Sequence, residues 1–128
     1  IGQNQLTGTS KVYALNEKDA PTISGIATFY ERANGDALAV LNIENTPDGG
    51  EHPAHIHMGS VATAPGSILF TFTPVNGSTG MSMTNVAALN DQTPFGYSNV
   101  LAINGYINVH LSMDDLGTIV AQGNIGIN

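Results

Sequence analysis

An all-β sandwich or barrel of about eight strands is what this sequence predicts, on three observations. Short runs rich in β-branched and aromatic residues alternate in polarity with a period of two. Clusters of Asn, Gly, Asp and Pro separate those runs at short intervals. No stretch repeats apolar residues at the spacing of a long amphipathic helix.

The elements follow in order. Lys11 to Leu15 is a short β-prone run. Ile23 to Glu31 and Ala37 to Glu44 flank Ala33-Asn34-Gly35-Asp36, and Asn-Gly between two such runs signals a hairpin. Pro47-Asp48-Gly49-Gly50 is a turn. It delivers the chain into Glu51-His52-Pro53-Ala54-His55-Ile56-His57-Met58, where Pro53 interrupts the strand. Ile68, Phe70 and Phe72 alternate with Leu69, Thr71 and Thr73. Asn76 to Gly80 is a turn, and Met81 to Val86 reads as a strand. Residues 89–98 read as a loop, and a helical turn fits Ser98 to Leu101. In the next strand Ile107, Val109 and Leu111 share one face, Tyr106, Asn108 and His110 the other. Ile119, Ala121, Gly123, Ile125 and Ile127 alternate in the last strand.

The 128 residues are one domain's worth, and a 41% hydrophobic content is enough for a core. Only 10% of residues are charged, with a net charge of -7. The cations are Lys11, Lys18 and Arg32 alone. Such a chain is unsuited to nucleic acid, whose phosphates need Lys and Arg, and to anionic membranes for the same reason. No apolar run approaches the roughly 20 residues of a membrane span. The absence of cysteine excludes disulfides, thiolate metal sites and cysteine nucleophiles. Low Lys content and richness in Thr, Asn and Gly suit a secreted or cell-surface protein. The chain opens with Ile1 rather than methionine, as expected of one processed or excised from something longer. Its ends, Ile1-Gly2-Gln3-Asn4 and Ile125-Gly126-Ile127-Asn128, match as they would in one unit of a tandem array or filament.

Chemistry concentrates in the histidines. Three of four fall within six residues, at His52, His55 and His57, and the fourth is His110. On a strand, His55 and His57 point the same way while Ile56 points opposite. A second strand carrying His110 supplies a third nitrogen. An all-nitrogen set suits copper, or zinc as second choice, better than calcium or magnesium, which take oxygen. The three-residue step from His52 breaks the alternation, so His52 is either a fourth ligand or a surface residue. Asn108 and Glu51 are candidates to hold an imidazole by a hydrogen bond. Met58 offers a soft thioether, but alternation directs it to the core. Asp114 and Asp115 fit a turn better than a calcium loop.

Several segments together resemble the CHRD domain, the chordin-type domain of bacterial extracellular proteins. They are Ser24-Gly25-Ile26-Ala27, the His-Pro-Ala-His-Ile-His run at 52–57 with Gly59 behind it, Gly105 to His110, and Ala121 to Gly126. A more distant likeness is to copper/zinc superoxide dismutases, through His55-Ile56-His57, then Val109-His110 followed by Asp114-Asp115-Leu116-Gly117, and the closing Ile125-Gly126-Ile127. That resemblance implies an eight-stranded Greek-key sandwich with His55, His57 and His110 as copper ligands. The departures are plain. Residues 58–109 contain no histidine for a zinc subsite, no disulfide can form, and no arginine follows Arg32 to guide an anion. The negative net charge would also repel superoxide.

Two function classes follow. The first is a secreted metal-binding domain, for copper, serving capture or redox chemistry. The second is a structural or adhesive extracellular repeat whose histidines or metal only brace the fold. A copper-only dismutase is a weaker third reading, and no catalytic constellation stands out.

Overall fold

The computed structural model describes residues 5–128, so the Ile1 to Asn4 half of the end match lies outside the described residues. The strands are β1 (Leu6–Glu17), β2 (Ser24–Arg32), β3 (Ala37–Glu44), β4 (Glu51–His52), β5 (Ala54–Met58), β6 (Ile68–Thr71), β7 (Val75–Asn76), β8 (Met81–Val86), β9 (Asn104–Ser112) and β10 (Asp115–Gly126). A short α-helix, α1, spans Tyr97–Ala102, and a 3-10 turn spans Val61–Thr63. The hairpin at 33–36 closes with the Arg32 amide donating to the Asp36 carbonyl at 2.9 Å and the Gly35 amide to the Arg32 carbonyl at 3.0 Å. Gly35 takes φ 93° there, a left-handed conformation that a side chain would strain.

Eight strands form one curled antiparallel sheet in the order β6-β5-β9-β10-β1-β2-β3-β8, a half-barrel. β4 and β7 pair separately. β1 joins the two halves. It pairs β2 as far as Leu15, then turns to β10 through Asn16 and Glu17. β10 comes close enough there that a Cβ on Gly123 would run into the Ala14 carbonyl. The order β10-β1-β2-β3, with the last strand returned beside the first, is the arrangement of a Greek key, here enclosing β4 to β9 in the long connection.

The edges β6 and β8 share no backbone ladder, so the barrel is not closed by strand pairing. Side chains span the seam instead. Ser82 Oγ donates to the Thr73 carbonyl at 2.5 Å, and the Thr73 amide donates to Thr84 Oγ1 at 2.9 Å. The β6 edge is further covered by Asn90, whose amide bonds the Leu69 carbonyl and whose Oδ1 accepts from the Thr71 amide. Satisfying these edge groups removes a template for unwanted pairing.

Inside the curl the two halves interdigitate. Leu15, Ala27, Phe29 and Leu41 face Ala54, Ile56, Phe72, Ile107 and Val109. Phe29 is fully buried and packs between Tyr13 and Phe72, with ring centroids at 6.0 and 6.5 Å.

The sequence reading meets the structure closely at β3 and β8 and less so elsewhere. β1 starts at Leu6, before the apolar alternation begins, because β2 pairs with it there. β10 starts at Asp115 rather than Ile119, since the hairpin register extends to Asp115 opposite Ser112. Met58 is 53% exposed, not a core residue. A register shift between Ile56 and His57 and the end of the strand release it from the alternation. Asp115 takes its turn role, accepting from the Thr118 amide at 3.1 Å and the Thr118 hydroxyl at 2.8 Å.

Phe29→Ala is expected to cost about 3–5 kcal/mol of stability, the range for emptying a buried aromatic site. Urea unfolding measures it. Metal affinity in the folded variant should be unchanged, because Phe29 touches the inner face and the histidines lie on the outer one.

Candidate metal centre

β5 and β9 run antiparallel with His55 opposite Asn108 and His57 opposite Tyr106. Period-two alternation sends Ala54, Ile56, Ile107 and Val109 inward. It therefore puts His55, His57, Tyr106, Asn108 and His110 together on the outer face. One ring nitrogen from each of His55, His57 and His110 lies within 4.8 Å of the other two. The His55 and His57 rings are 6.0 Å apart, His55 and His110 5.2 Å, and His57 and His110 6.3 Å.

This outer face is not left to solvent. Residues 59–67 fold over it. The Gly66 amide donates to the Tyr106 hydroxyl at 2.8 Å, and the Val61 amide to Asn124 Oδ1 at 2.9 Å. Tyr106 is fully buried and stacks on the His57 ring at 5.0 Å, with an interplanar angle of 13°. His57 and His110 are buried, and His55 is half-buried.

Backbone carbonyls set the ring tautomers. His57 Nδ1 lies 2.9 Å from the Gly66 carbonyl, and His110 Nδ1 lies 2.8 Å from the Leu116 carbonyl. A carbonyl only accepts, so Nδ1 carries a proton in both rings, and in the neutral imidazole Nε2 keeps its lone pair. His57 Nε2 is then a buried acceptor with no protein partner. Such an orphan normally costs free energy, and a cation in the centre of the group would satisfy it. His110 Nε2 lies 3.2 Å from His55 Nδ1. Two nitrogens bound at about 2.0–2.1 Å to a tetrahedral ion stand about 3.3 Å apart, so this pair already has a chelating separation. The residues therefore fit one ion held by His55 Nδ1, His57 Nε2 and His110 Nε2. The other ring nitrogens of His57 and His110 are fixed by carbonyls, as in established histidine metal sites.

The remaining candidates fall around this group. His52 is buried but is not one of the three. Its Nδ1 lies 2.8 Å from the Leu111 carbonyl and 3.2 Å from that of His110, so it ties β4 to the end of β9. Asn108 is buried opposite His55, with its Oδ1 unpartnered. Glu51 is exposed on β4. Among the described residues neither makes a hydrogen bond to an imidazole. Carbonyls of Gly66 and Leu116 do that work, and backbone groups leave no trace in residue type. Tyr106 was legible, since it alternates with Asn108 and His110 on one face.

Two clefts adjoin the group. One of about 390 Å³ is lined by His57, Tyr106, Asn108, His110, Lys18 and Gln122 among others. A second, more apolar one of about 290 Å³ has His55 in its wall, with Pro53, Phe72 and Leu116. Lys18 pairs with Asp19 at 3.2 Å. No protein-family model matches the chain, and no curated protein sequence does.

Burial and the nearby rings of His110 and His57 push the His55 imidazole down to about 4. Burial also lowers His110, opposed by its hydrogen bond to Leu116 and reinforced by His57. Both rings thus stay neutral, and able to ligate, well below the usual histidine range. The unfolded chain takes up protons near 6.5 that the folded chain refuses. The resulting stability is complete above that pH and is lost progressively as pH falls from there to the folded value of His55, about 4. Metal-free protein should therefore show a urea midpoint that drops between about pH 6.5 and 4. His55→Leu should flatten that slope.

Proposed function

We propose that this chain is a metal-binding domain in which His55, His57 and His110 hold a single copper ion, with zinc as the second choice. The observation that carries the reading is the convergence of three imidazoles whose free nitrogens lie within 4.8 Å, one of them buried without a partner. Three neutral nitrogens and no carboxylate among the ligands favour copper or zinc over hard cations.

Separation from the core favours a working site over a simple brace. The core of Phe29, Phe72, Ile56 and Ile107 lies on the inner face, away from the histidines, and backbone carbonyls hold the rings of His57 and His110. A metal needed for folding would instead be expected where a core is lacking. The bound ion supplies a Lewis-acidic, redox-capable centre next to two clefts. The chain's own residues bind it, hold the rings in one tautomer and shield His57 behind residues 59–67.

We place the domain outside the cell, on its resemblance to the CHRD domain and its Lys-poor, Thr-, Asn- and Gly-rich composition. Dismutase activity is not part of the proposal, since the chain carries a net charge of -7 and no arginine beyond Arg32.

Single replacements of His55, His57 or His110 by Ala should each lower copper affinity by more than the roughly 10–100-fold that losing an outer partner of a ligand costs. Competition titration with a chromophoric chelator reads this. Copper at about 100 times its Kd should stabilise the wild type by about 2.7 kcal/mol and the alanine variants far less. Wild-type affinity in all three variants would remove the site.

A further inference from the structure

The apolar cleft beside His55 has one soft-donor residue, Met113, in its lining. Met113 lies with Asp114 in the two-residue connection between Ser112 and Asp115, which pair across the β9–β10 hairpin. Neither turn residue takes a positive φ, so the turn admits methionine without strain. At 70% exposure Met113 adds little to the core. It lines the same cleft of about 290 Å³ as His55 and Leu116.

The hairpin is tied to the histidine group a second time. The Leu116 carbonyl holds His110 Nδ1 at 2.8 Å, so this hairpin fixes one proposed ligand and, through Met113, lines the cleft that has another in its wall. Three imidazoles leave a fourth position open on a tetrahedral ion. A thioether is a soft donor that suits Cu(I) and meets Cu(II) only as a weak, long axial ligand. It is also uncharged, and the unbranched methionine side chain can swing to meet an ion. The other methionines do not compete for this position. Met58, Met81 and Met83 line neither cleft at the site.

We propose that Met113 Sδ is the fourth ligand of the centre when copper is in the Cu(I) state, making the site a three-histidine, one-methionine Cu(I) site with a solvent-exposed, displaceable donor. The proposal rests on the three-histidine reading above. It deepens that reading by naming the oxidation state that the cleft selects. The exposed hairpin tip then serves as the entry point at which Cu(I) is first captured.

The test is copper K-edge X-ray absorption on protein loaded anaerobically with Cu(I), for wild type and Met113→Leu. Wild type should show one sulfur and three nitrogens, and the variant three nitrogens with the sulfur gone. Competition with bathocuproine disulfonate should show a Cu(I) affinity lower by about tenfold or more in the variant, while Cu(II) affinity changes by less than about twofold. Met113 is exposed, so the leucine variant should fold like the wild type. An all-nitrogen Cu(I) spectrum in the wild type, a sulfur that persists in Met113→Leu, or equal Cu(I) affinities would overturn the proposal and leave the histidine site standing. Failure of either copper state to bind the wild type would overturn both.

Discussion

The register between β5 and β9 is the constraint on which the rest depends. His55 faces Asn108 and His57 faces Tyr106 because Ile56 and Ile107 must both enter the core. Side chains alternate with a period of two, so a slip of one residue would send the imidazoles inward and the isoleucines out. The hydrophobic demand of the inner face therefore fixes the geometry of the outer one. More than fifty residues separate His57 from His110 in the chain, yet the sheet sets their rings 6.3 Å apart.

Backbone groups then refine what the register positions. Gly66 and Leu116 offer carbonyls to Nδ1 of His57 and His110, which leaves the Nε2 lone pairs directed into the group. The first of these carbonyls belongs to the segment that buries Tyr106, the second to the β9–β10 hairpin. Both are held by contacts of their own, such as the Gly66 amide to the Tyr106 hydroxyl at 2.8 Å. His55 and His110 resist protonation, since a charge on either would lie in a poorly solvated place beside other rings. Lone pairs that do not readily take protons are a favourable setting for a metal cation.

Much of this was legible in the sequence where pattern and physics coincide. Asn34-Gly35 marks its hairpin because left-handed backbone favours glycine, and Ile56 between two histidines declares its faces by alternation. Other features depend on where the chain goes in space. Met58 follows the inward pattern but lies beyond a register shift, so it is exposed. The long reach of β1 comes from its pairing with two different strands, which its own composition does not encode. His52 sits one proline away from β5 and turns to the carbonyls of His110 and Leu111 rather than joining the three rings. Its role was left open by sequence because Pro53 resets the alternation.

The central claim is that one ion is held by three imidazoles from two strands. Electron paramagnetic resonance of Cu(II)-loaded protein, with and without ¹⁵N-labelled histidine, addresses it most directly. The account predicts a single copper species at one equivalent, with coupling to three histidine nitrogens that changes on isotope labelling. A spectrum of weakly bound, heterogeneous copper, unaffected by labelled histidine, would contradict it.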